Sequence, residues 1–187
     1  DLMEIIEEVM DKYSDTTKIW NLSLGIESKR CSGAMSDLGI FLDYIQDKYQ
    51  VQIFVSSGNV NDLPLRTWPP QIELGEHDRL ISPADSVRAV TVGSVALFES
   101  NDSIVKFNEP SPFSRRGPGA NYVVKPDVVD YGGNLSTSYC IDGLGVKGLD
   151  PQGNVIEGNG TSYSNPRALQ KFASICEEMV ELDLLLA

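Results

Sequence analysis

Residues 51–59 read V-Q-I-F-V-S-S-G-N, an apolar, β-branched and aromatic run closed by two serines, a glycine and an asparagine. Such a run fits a strand covered on both faces, the kind found inside parallel sheets. Just upstream, residues 32–50 place Met35, Leu38, Phe41, Leu42 and Ile45 at helical spacing. Upstream again, K-I-W-N-L-S-L-G (18–25) reads as a second strand that ends in glycine. Strand, helix and strand in that order make a βαβ unit, whose two strands lie parallel.

Beyond this unit, residues 1–13 carry Leu2, Ile5, Ile6, Val9, Met10 and Tyr13 on one helical face, with acidic residues between them. A-V-T-V-G-S-V (89–95) supplies a third strand, and a further helix is expected from just after Gly160 to about Glu181. Between 98 and 160, turn residues cut the chain into short extended pieces, among them I-V-K-F (104–107) and D-V-V-D-Y (127–131). The expectation is one α/β domain over residues 1–187, a mostly parallel sheet flanked by helices in three layers.

Fifteen basic residues against 27 acidic ones give a net charge of −12, the opposite of the basic face a nucleic-acid binder presents. Cys31, Cys140 and Cys176 are odd in number and far apart, so they read as ordinary thiols rather than a disulfide framework or a metal motif. No apolar run approaches the ~18 residues a membrane span needs. Neither nucleic acid nor membrane is therefore expected as a partner. The sequence opens at Asp1, directly in a helical pattern and without methionine, and is expected to be a piece of a longer protein. No targeting segment assigns a compartment.

Three stretches carry chemistry. In G-N-G-T-S-Y-S-N-P-R-A-L (158–169), Ser162 falls at a loop-to-helix junction. Free backbone N–H groups and the positive end of the helix dipole favour negative charge there, as an acyl-transfer oxyanion requires. The plainer reading makes Thr161 or Ser162 an N-cap. Gly160 lets another chain approach closely, and Pro166 belongs near the first helical turn. Asn59 follows the carboxyl end of a buried strand, where open α/β sheets bind ligands. Its side-chain N–H groups suit an oxyanion, although an asparagine after glycine often serves only its own turn. N-L-S-L-G (21–25) ends a strand in small residues and leaves backbone groups free to pair with an extended peptide.

In order and spacing these stretches resemble the subtilisin-like serine peptidases, the subtilases. G-T-S-Y-S-N-P (160–166) resembles the segment around the family's nucleophile, and F-V-S-S-G-N (54–59) the strand that delivers its oxyanion asparagine. N-L-S-L-G is similar to the substrate-binding strand. I-S-P-A-D-S-V-R-A-V-T-V-G-S-V (81–95) and F-S-R-R-G-P…K-P-D-V-V-D-Y-G-G (113–133) resemble later family stretches, so the likeness runs from about Lys18 to about Ala173. The resemblance implies Ser162 as nucleophile, with its backbone N–H and Asn59 as oxyanion donors. It implies Ser23, Leu24 and Gly25 as one wall of the specificity pocket, and Ser56, Ser57 and Gly58 as the other. Gly160 and Thr161 would complete the substrate site, and the partner would be a peptide or protein substrate.

The family's Asp and His precede the substrate-binding strand, and here only one helix precedes it. His77, the single histidine, lies after Asn59 in G-E-H-D-R-L, outside the family's H-G-T setting, and is expected as a loop residue. Without a base, serine is a weak nucleophile. Two readings follow. One is the carboxyl-terminal part of a catalytic domain, a serine endopeptidase in the parent and inactive alone, whose further partner is the missing N-terminal part of that domain. The other is a non-catalytic peptide-binding pseudoprotease module.

Other signals are weaker. G-L-G-V-K-G (143–148) matches a dinucleotide fingerprint, but Asp150 and Pro151 follow at once, so a glycine-rich loop is expected. The sequons at Asn21, Asn101, Asn134 and Asn159 read as chance. No cofactor or metal is expected. Calcium occurs in the family, and the acidic 142–157 loop is its only faint candidate. The loop at 60–80, with Trp68, Pro69 and Pro70, departs from the family and hides the substrate preference.

Overall fold

A computed structural model of the chain describes residues 1–31, 33–71 and 75–181. The βαβ unit forms as its pattern requires. Strand β1 (Ile19–Leu22) and strand β3 (Gln52–Ser56) pair in parallel, Leu22 opposite Val55, and helix α2 (Asp37–Tyr49) crosses between them. Ser36 caps α2 through its hydroxyl, which accepts the Gly39 N–H at 3.1 Å. Strand β5 (Val90–Val95) adds beside β3 and strand β6 (Val128–Tyr131) beside β5, so the four-stranded sheet is parallel throughout, in the order β1-β3-β5-β6.

Successive side chains of a strand point to opposite faces. Ile53 and Val55 of β3 face α2 and helix α1 (Leu2–Tyr13), in a core with Ile6, Met10, Leu38, Leu42 and Ile45. Phe54 points the other way and meets Phe172 of helix α3 (Thr161–Glu181), ring centroids 5.3 Å apart. Two helices, a sheet and a third helix are the three expected layers.

Several elements differ from the expectation. Residues 23–25 are irregular, and a short antiparallel pair forms between β2 (Ile26–Arg30) and β4 (Ile81–Ser82). The stretch read as a glycine-rich loop is partly strand: β7 (Val146–Leu149) and β8 (Val155–Gly158) form an antiparallel hairpin. Asp150 closes its turn, accepting the backbone N–H groups of Gln152 and Asn154 at 2.9 and 2.8 Å. Residues 104–107 are not a strand. The Lys106 and Phe107 N–H groups donate to the Glu109 and Glu99 carboxylates instead of to a neighbouring strand. Pro166 sits in the second turn of α3 rather than the first, so the Ser162 carbonyl receives no i+4 N–H.

Candidate active site

Because β1 and β3 are neighbours, their carboxyl ends release residues 23–25 and 57–59 side by side, and the start of α3 faces both. A cavity of about 180 Å³ opens between them. Ser23, Leu24 and Gly25 form one side, Ser56 and Gly58 the other, and Asn59, Thr161 and Ser162 one end. Ser57 does not line it: that residue is fully buried behind the wall, a correction to the resemblance-based assignment. Ile81 reaches in between the two glycines. A β-carbon on Gly58 would come 2.7 Å from Ile81 Cγ1 and 2.9 Å from Arg115 Cδ, and φ there is +92°, so this position requires glycine.

The Asn59 side chain is fixed from the helix side. Its Oδ1 accepts the Thr161 N–H at 2.9 Å and the Thr161 hydroxyl at 3.2 Å. A backbone N–H can only donate, so the oxygen must face Thr161 and the NH₂ must face away. That NH₂ has no hydrogen-bond partner among the described residues. Gly160 adopts φ +140°, and a β-carbon there would lie 3.2 Å from Asn59 Nδ2. Gly160 does not line the cavity of Ser162 but a second one, of about 350 Å³, on the far side of Asn59.

Ser162 is the second residue of α3 and is exposed. The Thr161 N–H is taken by Asn59, and the Tyr163 N–H donates to Gly160 at 3.0 Å. The Ser162 N–H and hydroxyl keep no partner among the described residues. A helix terminus thus offers one free backbone donor beside one free side-chain donor, next to a free hydroxyl. His77 supplies no base here. It lies in a 3₁₀ turn (Glu76–Asp78), and its backbone carbonyl accepts a hydrogen bond from Arg115 Nη1 at 2.7 Å. It is not among the residues lining the cavity.

The model of the Peptidase S8 family, the subtilases, matches residues 1–182. This chain belongs to the subtilase family. A relative, the uncharacterized protein y4bN of Sinorhizobium fredii, is 32% identical over 181 residues, covering 80% of this chain and 42% of its own. The subtilase chain thus spans less than half the length of that curated relative. Among solved structures it is similar to the self-cleaved protease domain of PatA, with TM-score 0.63 at 16% identity, over 98% of this chain and 54% of that one. The epidermin leader peptide processing serine protease EpiP of Staphylococcus aureus gives TM-score 0.56 at 17% identity, over 90% of this chain and 42% of that one. Sphericase gives 0.56 at 16%, over 89% and 45%. At such identities the likeness establishes the subtilisin-like fold.

Three residues of this subtilase site escaped the sequence reading. Asn165 is fully buried, and its Nδ2 donates to the Ser23 hydroxyl and to the Phe54 carbonyl, both at 3.2 Å. It ties helix α3 to Ser23, just past β1, and to the middle of β3. Ile81 fills the space between the walls, and Arg115 supports Asn59 from beneath. Nothing in hydrophobic period or motif spacing marks these three, because each acts on segments distant in sequence. The thiols fall as ordinary ones: Cys31 is buried, with burial pushing its pKa up, Cys140 is exposed and Cys176 is in between. Asn134 is fully buried and donates to the Phe98 and Val105 carbonyls, so its sequon is inaccessible. Among the described residues no group of three or more His, Cys, Asp or Glu gathers at metal-binding distance.

Proposed function

We propose that this chain carries the nucleophile and oxyanion half of a serine endopeptidase, which hydrolyses peptide bonds through an acyl-enzyme in the parent protein. One observation carries the reading. The Asn59 amide, oriented by Thr161, leaves its NH₂ free, and Asn59 lines one cavity with Ser162, whose hydroxyl is exposed and whose N–H is free. In the reaction Ser162 Oγ attacks the scissile carbonyl. Asn59 Nδ2 and the Ser162 N–H bind the developing oxygen anion. A peptide laid along residues 23–25 pairs with that backbone, and its side chain enters the cavity between Ser56, Gly58 and Ile81. No cofactor enters these steps.

The base and the acid that orients it come, in this reading, from the rest of the parent chain. β1 is an outer strand of its sheet, and beside it lies an apolar groove of about 190 Å³ lined by Ile5, Val9, Met10, Trp20 and Leu22. We propose this flank as the seat of the remaining part of the domain. These 187 residues alone are then inactive.

A fluorophosphonate probe tests the reading. The parent is expected to be labelled, Ser162→Ala abolishes labelling, and the isolated chain does not turn over peptide. Ser162-dependent turnover by the isolated chain would refute the division of the site. A parent that binds peptide at residues 23–25 but resists the probe would favour the non-catalytic binding module.

A further inference from the structure

We infer that Arg115 is the positioning residue of the oxyanion donor, its guanidinium fixing the backbone from which Asn59 reaches Ser162. This rests on the reading of Ser162 and Asn59 given above. Residues 57–61 lie outside any strand: the Ser57 N–H donates to the Val92 carbonyl and Asn61 Nδ2 to Glu27, both at 2.9 Å, and Asn59 itself forms an isolated bridge opposite Ser114. Two backbone bonds frame it: Arg115 N–H to Gly58 at 3.1 Å and Val60 N–H to Phe113 at 2.7 Å. The Asn59 carbonyl itself is held by one side chain. Arg115 Nε donates to the Asn59 carbonyl at 2.9 Å, while Nη1 donates to the carbonyls of His77 and Arg79 at 2.7 and 3.1 Å. Three backbone points from two distant segments are pinned by one planar fork.

A buried charge is normally paired with an opposite one or fully hydrogen-bonded. The Arg115 side chain is 1% exposed, and the carboxylate it is paired with, Glu27, stands 3.9 Å away and largely exposed. Burial, and the nearby Arg30, push the Arg115 pKa below its ordinary value. The guanidinium therefore spends its donors on carbonyls, and the one at Asn59 belongs to the residue whose amide must be aimed. Thr161 holds the tip of that side chain and Arg115 holds its root. Lysine cannot reproduce the fork, because its ammonium is a single point on a flexible stem.

The test is a double-mutant cycle in the full-length parent, with a peptide substrate. Arg115→Lys is expected to lower kcat about tenfold while KM stays within about twofold, because a misaimed donor weakens the transition state more than ground-state binding. In an Asn59→Ala background the same substitution should change kcat less than about twofold, since the group it positions is gone. An equal loss in both backgrounds, or a KM effect with kcat intact, overturns the inference. Melting curves identify a variant that fails to fold, and Arg115→Gln, which keeps a planar NH₂ group, then carries the same cycle. If the wild-type parent turns over no peptide, the proposed function falls. The side-chain amide resonances of Asn59 in the isotope-labelled parent then decide this inference: a shift in Arg115→Lys supports it, and unchanged resonances overturn it.

Discussion

The corner around Ser162 and the flank formed by α1 and β1 are built on opposite lines. In the corner, polar groups from five segments interlock: Thr161 on Asn59, Asn165 on Ser23 and Phe54, and Arg115 on Asn59, His77 and Arg79. On the flank, apolar side chains meet solvent, Ile5 at 57% and Leu2 at 41% exposure, and the groove beneath them is nearly free of polar atoms. A contact that must hold a catalytic amide to a fraction of an ångström uses directional bonds. A surface that only has to receive another part of a domain can be apolar and smooth. The contrast is what the proposed function asks for: a half-site held within these residues and a base brought from elsewhere.

If the proposed function holds, the corner breaks first and most severely at Ser162. Ser162→Ala in the parent should lower turnover by about 10⁶, the loss measured in subtilisin, the family's type case, and leave the melting temperature unchanged because the side chain is exposed. Asn59→Ala comes next, with kcat down by about 10²–10³, a magnitude that again comes from subtilisin. It should also destabilise the fold by roughly 1–2 kcal/mol, since the Thr161 N–H and hydroxyl lose their acceptor in a buried place. A kcat loss below about tenfold would mean that the free NH₂ is not the donor.

The flank is tested by a charge. Ile5→Glu puts a carboxylate into the groove beside β1, where this chain alone leaves Ile5 exposed and so tolerates the change. If the rest of the domain covers the groove, that carboxylate is buried without a partner, at about 1–3 kcal/mol. Activity of the parent should then drop about tenfold in a chain whose α1 still folds, which circular dichroism would verify. Unchanged activity would place the docking surface elsewhere.

Much of this was legible in the sequence, for reasons that differ by element. α1, α2 and β3 announce themselves because each sends buried apolar residues at a regular spacing into one core, and burial imposes a period. The site's outline was legible because strand ends followed by small residues and a helix opened by G-T-S are local features. β2 and β4 were not, since I-E-S-K-R has no apolar alternation and β4 is two residues long. Their pairing is made only by segments some fifty residues apart. The β7–β8 hairpin was hidden because Gly148 and the exposed Leu149 and Val155 bury too little to leave a pattern. Arg115 illustrates the same limit within the site, as an arginine in a turn-rich stretch normally signals solvent.

The smallest expected effect concerns how α3 is held further along its length, at Arg167 and Lys171, where a buried carboxylate takes the place of the corner's amide and hydroxyl groups. Asp130 of β6 is nearly buried, with Oδ1 accepting from the Tyr131 N–H at 2.7 Å and Arg167 Nε at 3.2 Å, and Oδ2 from Lys171 Nζ at 2.6 Å. Burial alone would push its pKa up. The Lys171 ammonium, the Tyr131 N–H and the Arg167 guanidinium outweigh that and hold it below the ordinary carboxylate value. A carboxylate depressed in the folded state contributes stability that is present above the unfolded value of about 3.9 and lost as pH falls through the folded one. Asp130→Asn should therefore destabilise the parent by about 1 kcal/mol at neutral pH, modest because both cations remain half in solvent. Well below the ordinary carboxylate range, wild type and variant should melt together, because wild-type Asp130 is then protonated as well. A melting-temperature gap that persisted or widened in acid would show that α3 is held by packing there too, and the start and the middle of the helix would then differ less than their partners suggest.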